Sequence, residues 1–241
     1  MPLPKIDVIT YTTTIPSTKE EIKIRPFSVK EQKILLTAVA GQDPLEMSNS
    51  VRQVINNCIV TSETDVDKLE VFDLEYLMLQ LRIISVGETT KVAFSGIEDS
   101  ACDECKKVKE IEINLKDVKV DFEHVVDRKI KITDSVGAFL KYPDHKALAA
   151  YSKHSSEPNA ELKLLWSCVE SVYDENSVTS TKDVTVEEGI AFLEALTTQQ
   201  FKMLEKFLET MPQVSHKLEL RCSACGFTQN HILRGIDTFL A

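Results

Sequence analysis

Cys102-Asp-Glu-Cys105 and Cys222-Ser-Ala-Cys225 are two Cys-x-x-Cys pairs, and together they offer the four thiolates of a tetrahedral zinc site. Two residues between the cysteines of a pair let both sulfurs turn toward one ion, while the backbone amides of the turn point at the sulfurs and stabilise their negative charge. Gly226 follows the second pair, where a tight turn after the last ligand calls for a positive φ; Lys106 follows the first. Four thiolates close the coordination sphere and leave no place for a water. The expected site is therefore structural rather than catalytic: one Zn2+ per chain on Cys102, Cys105, Cys222 and Cys225.

Disulfides and a redox-active dithiol are the rival chemistries. Disulfide frameworks belong to secreted and usually short chains, but Met1-Pro-Leu-Pro-Lys-Ile-Asp lacks the basic start and apolar stretch of a signal peptide, which points to a reducing compartment. A thioredoxin-like pair belongs between a strand and a helix. Both pairs here are followed by alternating, strand-like sequence, Glu110-Ile-Glu-Ile-Asn-Leu115 and His231-Ile-Leu-Arg. The 116 residues between Cys105 and Cys222 far exceed the roughly 15 to 20 of a contiguous ribbon. Closing the longer loop costs about 1.6 kcal/mol more, small beside the roughly 10 kcal/mol that zinc binding contributes, so an inserted domain inside a split ribbon is tolerable.

Composition sets the outer limits. With 241 residues, 43% of them hydrophobic, the chain can bury one sizeable core or two small ones, and no segment approaches the roughly 18 to 20 uninterrupted apolar residues of a membrane span. A formal charge of −10, from 38 acidic against 28 basic residues, argues against non-specific binding to a phosphate backbone. Lys106, Lys107, Lys109 and Arg221 beside the pairs keep a nucleic-acid-binding zinc ribbon as an alternative, and a dithiol redox protein is a second one. Cys58 and Cys168 sit among apolar residues on helical patterns and read as core.

The elements that must position the four cysteines read as α+β. Ile6, Val8 and Thr10 alternate, Pro16-Ser-Thr-Lys makes a turn, and Ile22, Ile24 and Phe27 return, an N-terminal β-hairpin. Ser28 with Glu31 forms a capping box that opens a helix with Ile34, Leu35, Ala38 and Val39 as its buried stripe, ended by Gly41 and Pro44. A second helix spans Ser48 to Val60. A third, capped by Asp73, is apolar nearly all round and should be buried at the centre of the first half or at an interface. Lys91 to Ser95 and Glu110 to Leu115 read as strands entering and leaving the first pair; Lys217 to Arg221 and Thr228 to Leu233 do the same for the second. Between them, Val118 to Val120 and Lys129 to Ile132 are β-like. Ser135 to Leu140 and Asp144 to Ala150 then begin a helical insertion whose longest helix runs from about Asn159 to Tyr173 and precedes an exposed loop through Ser177 to Thr181. Thr185 with Glu188 and Thr197 with Gln200 are further capping boxes, and Pro212 stops the last helix.

No residue set beyond the cysteines makes an active site. His216 and His231 flank the second pair but are expected as bystanders, since four cysteines suffice. Asp144 and His145 are neighbours on a helix and do not face each other. Glu20-Glu21, Asp103-Glu104 and Glu187-Glu188 read as solvated acids or helix N-terminal charge. No Gly-rich phosphate loop occurs, and no heptad pattern sets an oligomeric state.

The order of parts resembles the T4-type bacteriophage baseplate proteins associated with assembly of the central hub. It is carried by Ile22-Lys-Ile-Arg-Pro-Phe, a helical stretch with Lys30-Glu-Gln-Lys, the Cys102-Asp-Glu-Cys105 pair, an inserted helical part, and Cys222-Ser-Ala-Cys225 near the C-terminus, and it spans nearly the whole chain. The resemblance implies a non-enzymatic structural or assembly protein of a contractile tail that binds other tail baseplate or hub proteins. It would act in the cytoplasm of an infected bacterium during assembly, or reside in the virion tail baseplate. The expected architecture is residues 1–90 as an N-terminal β-hairpin plus helical domain, 91–120 with 214–241 as a split four-cysteine zinc ribbon, and 121–213 as an inserted, mainly helical region.

Overall fold

The computed structural model describes residues 7–61, 64–94 and 102–239. Ile6 and Ser95 of the expected strands lie outside them. The fold is α+β, with small antiparallel sheets, eight helices among the described residues, an N-terminal hairpin and a four-cysteine cluster. The chain divides into two compact units: Met1–Ile34, Val51–Asp121 and Gln213–Ala241 form the first, Leu35–Ser50 and Phe122–Pro212 the second.

In the first unit, β1 (Tyr11–Thr14) and β2 (Glu21–Ile24) pair antiparallel, with Tyr11 opposite Ile24. Alternation puts Ile22 and Ile24 inside, as expected. Helix α1 (Val29–Gly41), which carries the chain from the first unit into the second, opens where Glu31 accepts the Ser28 N–H at 2.8 Å. Its expected stripe is corrected: Ala38 is buried, but Val39 is 57% exposed, as are Val29 and Leu36 to similar extents. Pro44 does not end α1 so much as begin α2 (Pro44–Cys58), which leads back to the first unit. It occupies the first helical position, while the Asp43 carboxylate accepts the N–H groups of Leu45 (3.0 Å) and Glu46 (3.1 Å).

Helix α3 (Val71–Ser85) buries Phe72, Leu74, Leu77, Met78, Leu79, Leu81 and Ile83, the central helix that its apolar composition demands. Asp73 lies inside its first turn instead of at its cap. It accepts the Glu70 N–H (3.1 Å) and both the N–H (2.8 Å) and hydroxyl (2.6 Å) of Ser17, which satisfies a fully buried carboxylate and ties the hairpin turn to the helix. Strands β3 (Thr89–Phe94) and β4 (Lys109–Asn114) pair antiparallel on either side of the short helix α4 (Asp103–Lys106). Strand β5 (Lys119–Asp121) joins a three-stranded sheet in the order β11-β10-β5, where β10 is Gln213–Arg221 and β11 is Thr228–Arg234. Leu79 and Ile83 of α3, Ile113, Leu115, Val118, Val214 and Phe239 close one core. Residues of α3 and of the strands on either side of the two cysteine pairs thus share one core, because α3 supplies an apolar face against which they pack.

The second unit is less helical than its sequence predicts. Its four-stranded sheet runs β6-β7-β8-β9, comprising Lys129–Lys131, Gly137–Leu140, Val169–Tyr173 and Val178–Ser180, all antiparallel. Three expectations fall here. Ser135 to Leu140 contains a strand rather than a helix start. The long helix splits into α6 (Ala160–Cys168) followed directly by β8, and the exposed loop after Ser177 contains the edge strand β9. Val169, Val172 and Tyr173 share helical spacing with Leu165 and Trp166, yet β-branched and aromatic residues favour a pleated surface once β7 and β9 offer partners. Helices α5 (His145–His154), α7 (Val186–Glu194) and α8 (Thr198–Glu209) complete the unit. Both later capping boxes form as the sequence predicts, with Glu188 and Gln200 accepting the N–H groups of Thr185 and Thr197 at 2.9 Å each.

Candidate metal centre

The two Cys-x-x-Cys turns sit in the connections between the strands of two hairpins in the first unit. The β3–β4 ladder ends on the pair Phe94 and Lys109, and the β10–β11 ladder on Arg221 and Thr228. Each turn is closed by its own backbone. The N–H of Cys105 donates to the carbonyl of Cys102 at 3.0 Å, and that of Gly226 to the carbonyl of Cys222 at 3.0 Å. Gly226 has φ +74°, the left-handed conformation expected after the second pair. A further bond from the N–H of Cys222 to the carbonyl of Phe227, at 2.7 Å, ties the turn to the start of β11.

All four Sγ atoms lie within 4.8 Å of one another. The sulfurs of Cys102 and Cys222 are 3.9 Å apart and those of Cys105 and Cys225 are 3.6 Å apart, so each turn contacts the other. A tetrahedral ion with metal–sulfur bonds of about 2.3 Å requires sulfur–sulfur edges of about 3.8 Å. The four cysteines fit such an ion in both number and spacing. Cys105 and Cys222 are buried, Cys102 half-buried and Cys225 exposed. The Cys222 thiol is pulled down to about 6, first by the N–H of Cys225, then by that of Ala224 and by the Cys105 thiol, while burial pushes the other way. Amides aimed at a thiolate are what a metal-binding turn supplies.

The remaining expectations about polar residues are resolved by the same geometry. Cys58 and Cys168 are fully buried, and burial pushes their thiols up to about 11 and about 12, so they remain protonated members of the cores. His231 stands on β11 with its ring centroid 5.3 Å from that of Phe94, and His216 lies on β10 opposite Leu233; neither belongs to the cysteine cluster. Asp144 caps α5 by accepting the N–H of Ala147 at 2.8 Å. Among the described residues, no other group of His, Cys, Asp and Glu is spaced to hold a metal, and no helix is long and apolar enough to cross a membrane.

Two features escaped the sequence. Glu75 projects from α3 toward the N–H of Val214, 3.5 Å away, and burial raises its carboxyl to about 7, with the charge of Asp237 adding to the rise. Its signal is a lone acid in the apolar run Leu74-Glu75-Tyr76-Leu77. A shallow groove beside the cysteines, bordered by Phe94, Lys109, Arg221 and Phe227, arises only when the two hairpins meet.

No curated protein and no solved structure gives a significant match. The sequence does match the family described as T4 bacteriophage base plate protein, over residues 8–241. With nearly its whole length matched, and with the N-terminal hairpin and the paired Cys-x-x-Cys turns in place, this chain belongs to the T4 bacteriophage base plate protein family.

Proposed function

We propose that this protein is a non-enzymatic structural or assembly component of the central hub of a contractile tail baseplate, acting through protein–protein contacts and stabilised by one Zn2+ on Cys102, Cys105, Cys222 and Cys225. The observation that carries the zinc reading is the approach of four thiols to within 4.8 Å of one another across two hairpins. Zinc accounts for this donor set because it takes four thiolates tetrahedrally and has no redox chemistry of its own. A dithiol oxidoreductase would need one pair open to substrate; Cys102 does cap the one-turn helix α4 after β3, but Cys105 and Cys222 are buried against each other's turns. Here each pair faces the other, in turns between antiparallel strands.

The role in assembly rests on the family match and on the polarity of the chain. A net charge of −10 suits contacts with other proteins better than with a phosphate backbone. The zinc centre ties the C-terminal hairpin to the middle of the chain, and most of the second unit, Phe122–Pro212, is inserted between its two halves. Co-expression with the other hub components in the bacterial cytoplasm, followed by size-exclusion chromatography, tests the role. A stoichiometric complex containing this chain is expected, and elution of the chain alone with every hub component contradicts it.

A further inference from the structure

The groove at the cysteine cluster combines aromatic rings with cationic side chains. Phe94 and His231 form one apolar wall, their centroids 5.3 Å apart and their planes tilted by 53°, and Phe227, half exposed, forms another just beyond Gly226. Lys107, Lys109 and Arg221 stand around it. Glu104 pairs with Lys107 at 2.8 Å and its charge also acts on Lys109, whereas the Arg221 side chain has no hydrogen-bonding or ion-pair partner among the described residues. In a chain of net charge −10, these cations make a local site of the opposite sign beside the half-exposed ring of Phe227. A partner that fits must bring negative charge together with an apolar side chain.

Resting on the zinc-stabilised reading above, we propose that this groove docks an acidic segment of another baseplate protein, which inserts one apolar side chain between Phe94 and Phe227 and sets carboxylates against Lys109 and Arg221. The groove is small and shallow, which suits a short peptide contact, and the net charge of −10 disfavours a longer polyanion such as nucleic acid. The zinc centre holds both walls, since Phe94 precedes the first pair and Phe227 follows the second. The contact therefore exists only when the two hairpins are joined.

The test uses the full-length, zinc-loaded chain. It is mixed in turn with each of the other purified baseplate proteins of the same phage, and each affinity is compared with that of Arg221→Glu and of Lys109→Glu. Zinc content and melting temperature are measured for every variant. At least a tenfold loss of affinity for one partner, with zinc content and melting unchanged, is the expected result, and Phe227→Ala should weaken the same partner. Partner binding that persists in both charge reversals overturns the groove while leaving the assembly role standing. No binding to any baseplate protein overturns both. Reversals that release zinc but leave affinity intact make these cations attendants of the metal and overturn the proposal. Tight binding of a fluorescent (dT)15 that both reversals abolish overturns it in favour of nucleic acid.

Discussion

The sulfur of Cys105 lies 3.6 Å from that of Cys225, 120 positions away in the chain. That approach joins two hairpins whose strands belong to distant parts of the sequence, and α3 with its apolar flank closes the same unit from the other side. The fold of the first unit and its metal centre are therefore one problem. Loop closure over such a length must be offset by bonds made at the end of it.

Replacing one ligand should unlink the hairpins. Cys102→Ser or Cys222→Ser is expected to lose zinc and to destabilise the first unit by on the order of 5 kcal/mol, about half of what a structural zinc site contributes. Thermal unfolding followed by circular dichroism, together with metal analysis, checks this. A zinc-free variant that melts like the parent contradicts it.

Glu75 makes stability depend on pH. Its carboxyl is raised to about 7 in the folded chain by burial, so the fold prefers the neutral acid. This preference is fully expressed below the unfolded value near 4.5 and is lost as pH rises through about 7. Urea midpoints should fall between pH 5 and pH 8, and Glu75→Gln, which stays neutral and still offers an oxygen to the N–H of Val214, should flatten that fall. An equal fall in the variant sinks the assignment.

Glu31 behaves in the opposite sense. Burial alone would raise its carboxyl, but hydrogen bonds from Arg25 and Ser28 outweigh it and hold the group at about 2. The pair with Arg25, at 3.1 Å, thus stabilises the fold above about 4.5, and its contribution fades as pH falls toward 2. Arg25 also donates to the carbonyl of Asn57 at 2.8 Å, fixing the approach of the β2 end to α2. Glu31→Gln at pH 7 should cost about 2 kcal/mol in chemical denaturation, since it leaves a half-buried guanidinium without its counter-charge. A loss below about 0.5 kcal/mol would show the pair to be ornamental.

In the second unit, Trp166 lies directly on the backbone of α7. A Cβ added at Gly189 would fall 2.0 Å from the indole, a distance no packing tolerates. Gly189→Ala raises helix propensity yet should destabilise by about 1–3 kcal/mol through overpacking. Tryptophan fluorescence, reporting on the single Trp of the chain, should shift in the folded variant. Stabilisation by the substitution argues against this packing.

What could be read in the sequence was local. The cysteine spacing, the turn at Gly226 and the boxes Thr185 with Glu188 and Thr197 with Gln200 depend on neighbours within four residues, and all of them recur in the structure. What could not be read depended on partners far along the chain. Val169 to Tyr173 is a strand because Gly137–Leu140 pairs with it from earlier in the chain, and although Val118 to Val120 reads as β-like, its place as third strand of a sheet depends on β10, which arrives nearly a hundred residues later. Val39 carries the spacing of a buried stripe but is exposed. Periodicity tells which residues share a face, and only tertiary packing decides whether that face is covered.

The account turns on the metal. Elemental mass spectrometry of the purified, untagged protein, with concentration from amino-acid analysis, should find one zinc per chain, and chelation should release it while exposing four additional thiols to alkylation. A metal-free, stably folded protein whose four cysteines react freely or are oxidised would contradict the split zinc centre and return Cys102, Cys105, Cys222 and Cys225 to redox chemistry.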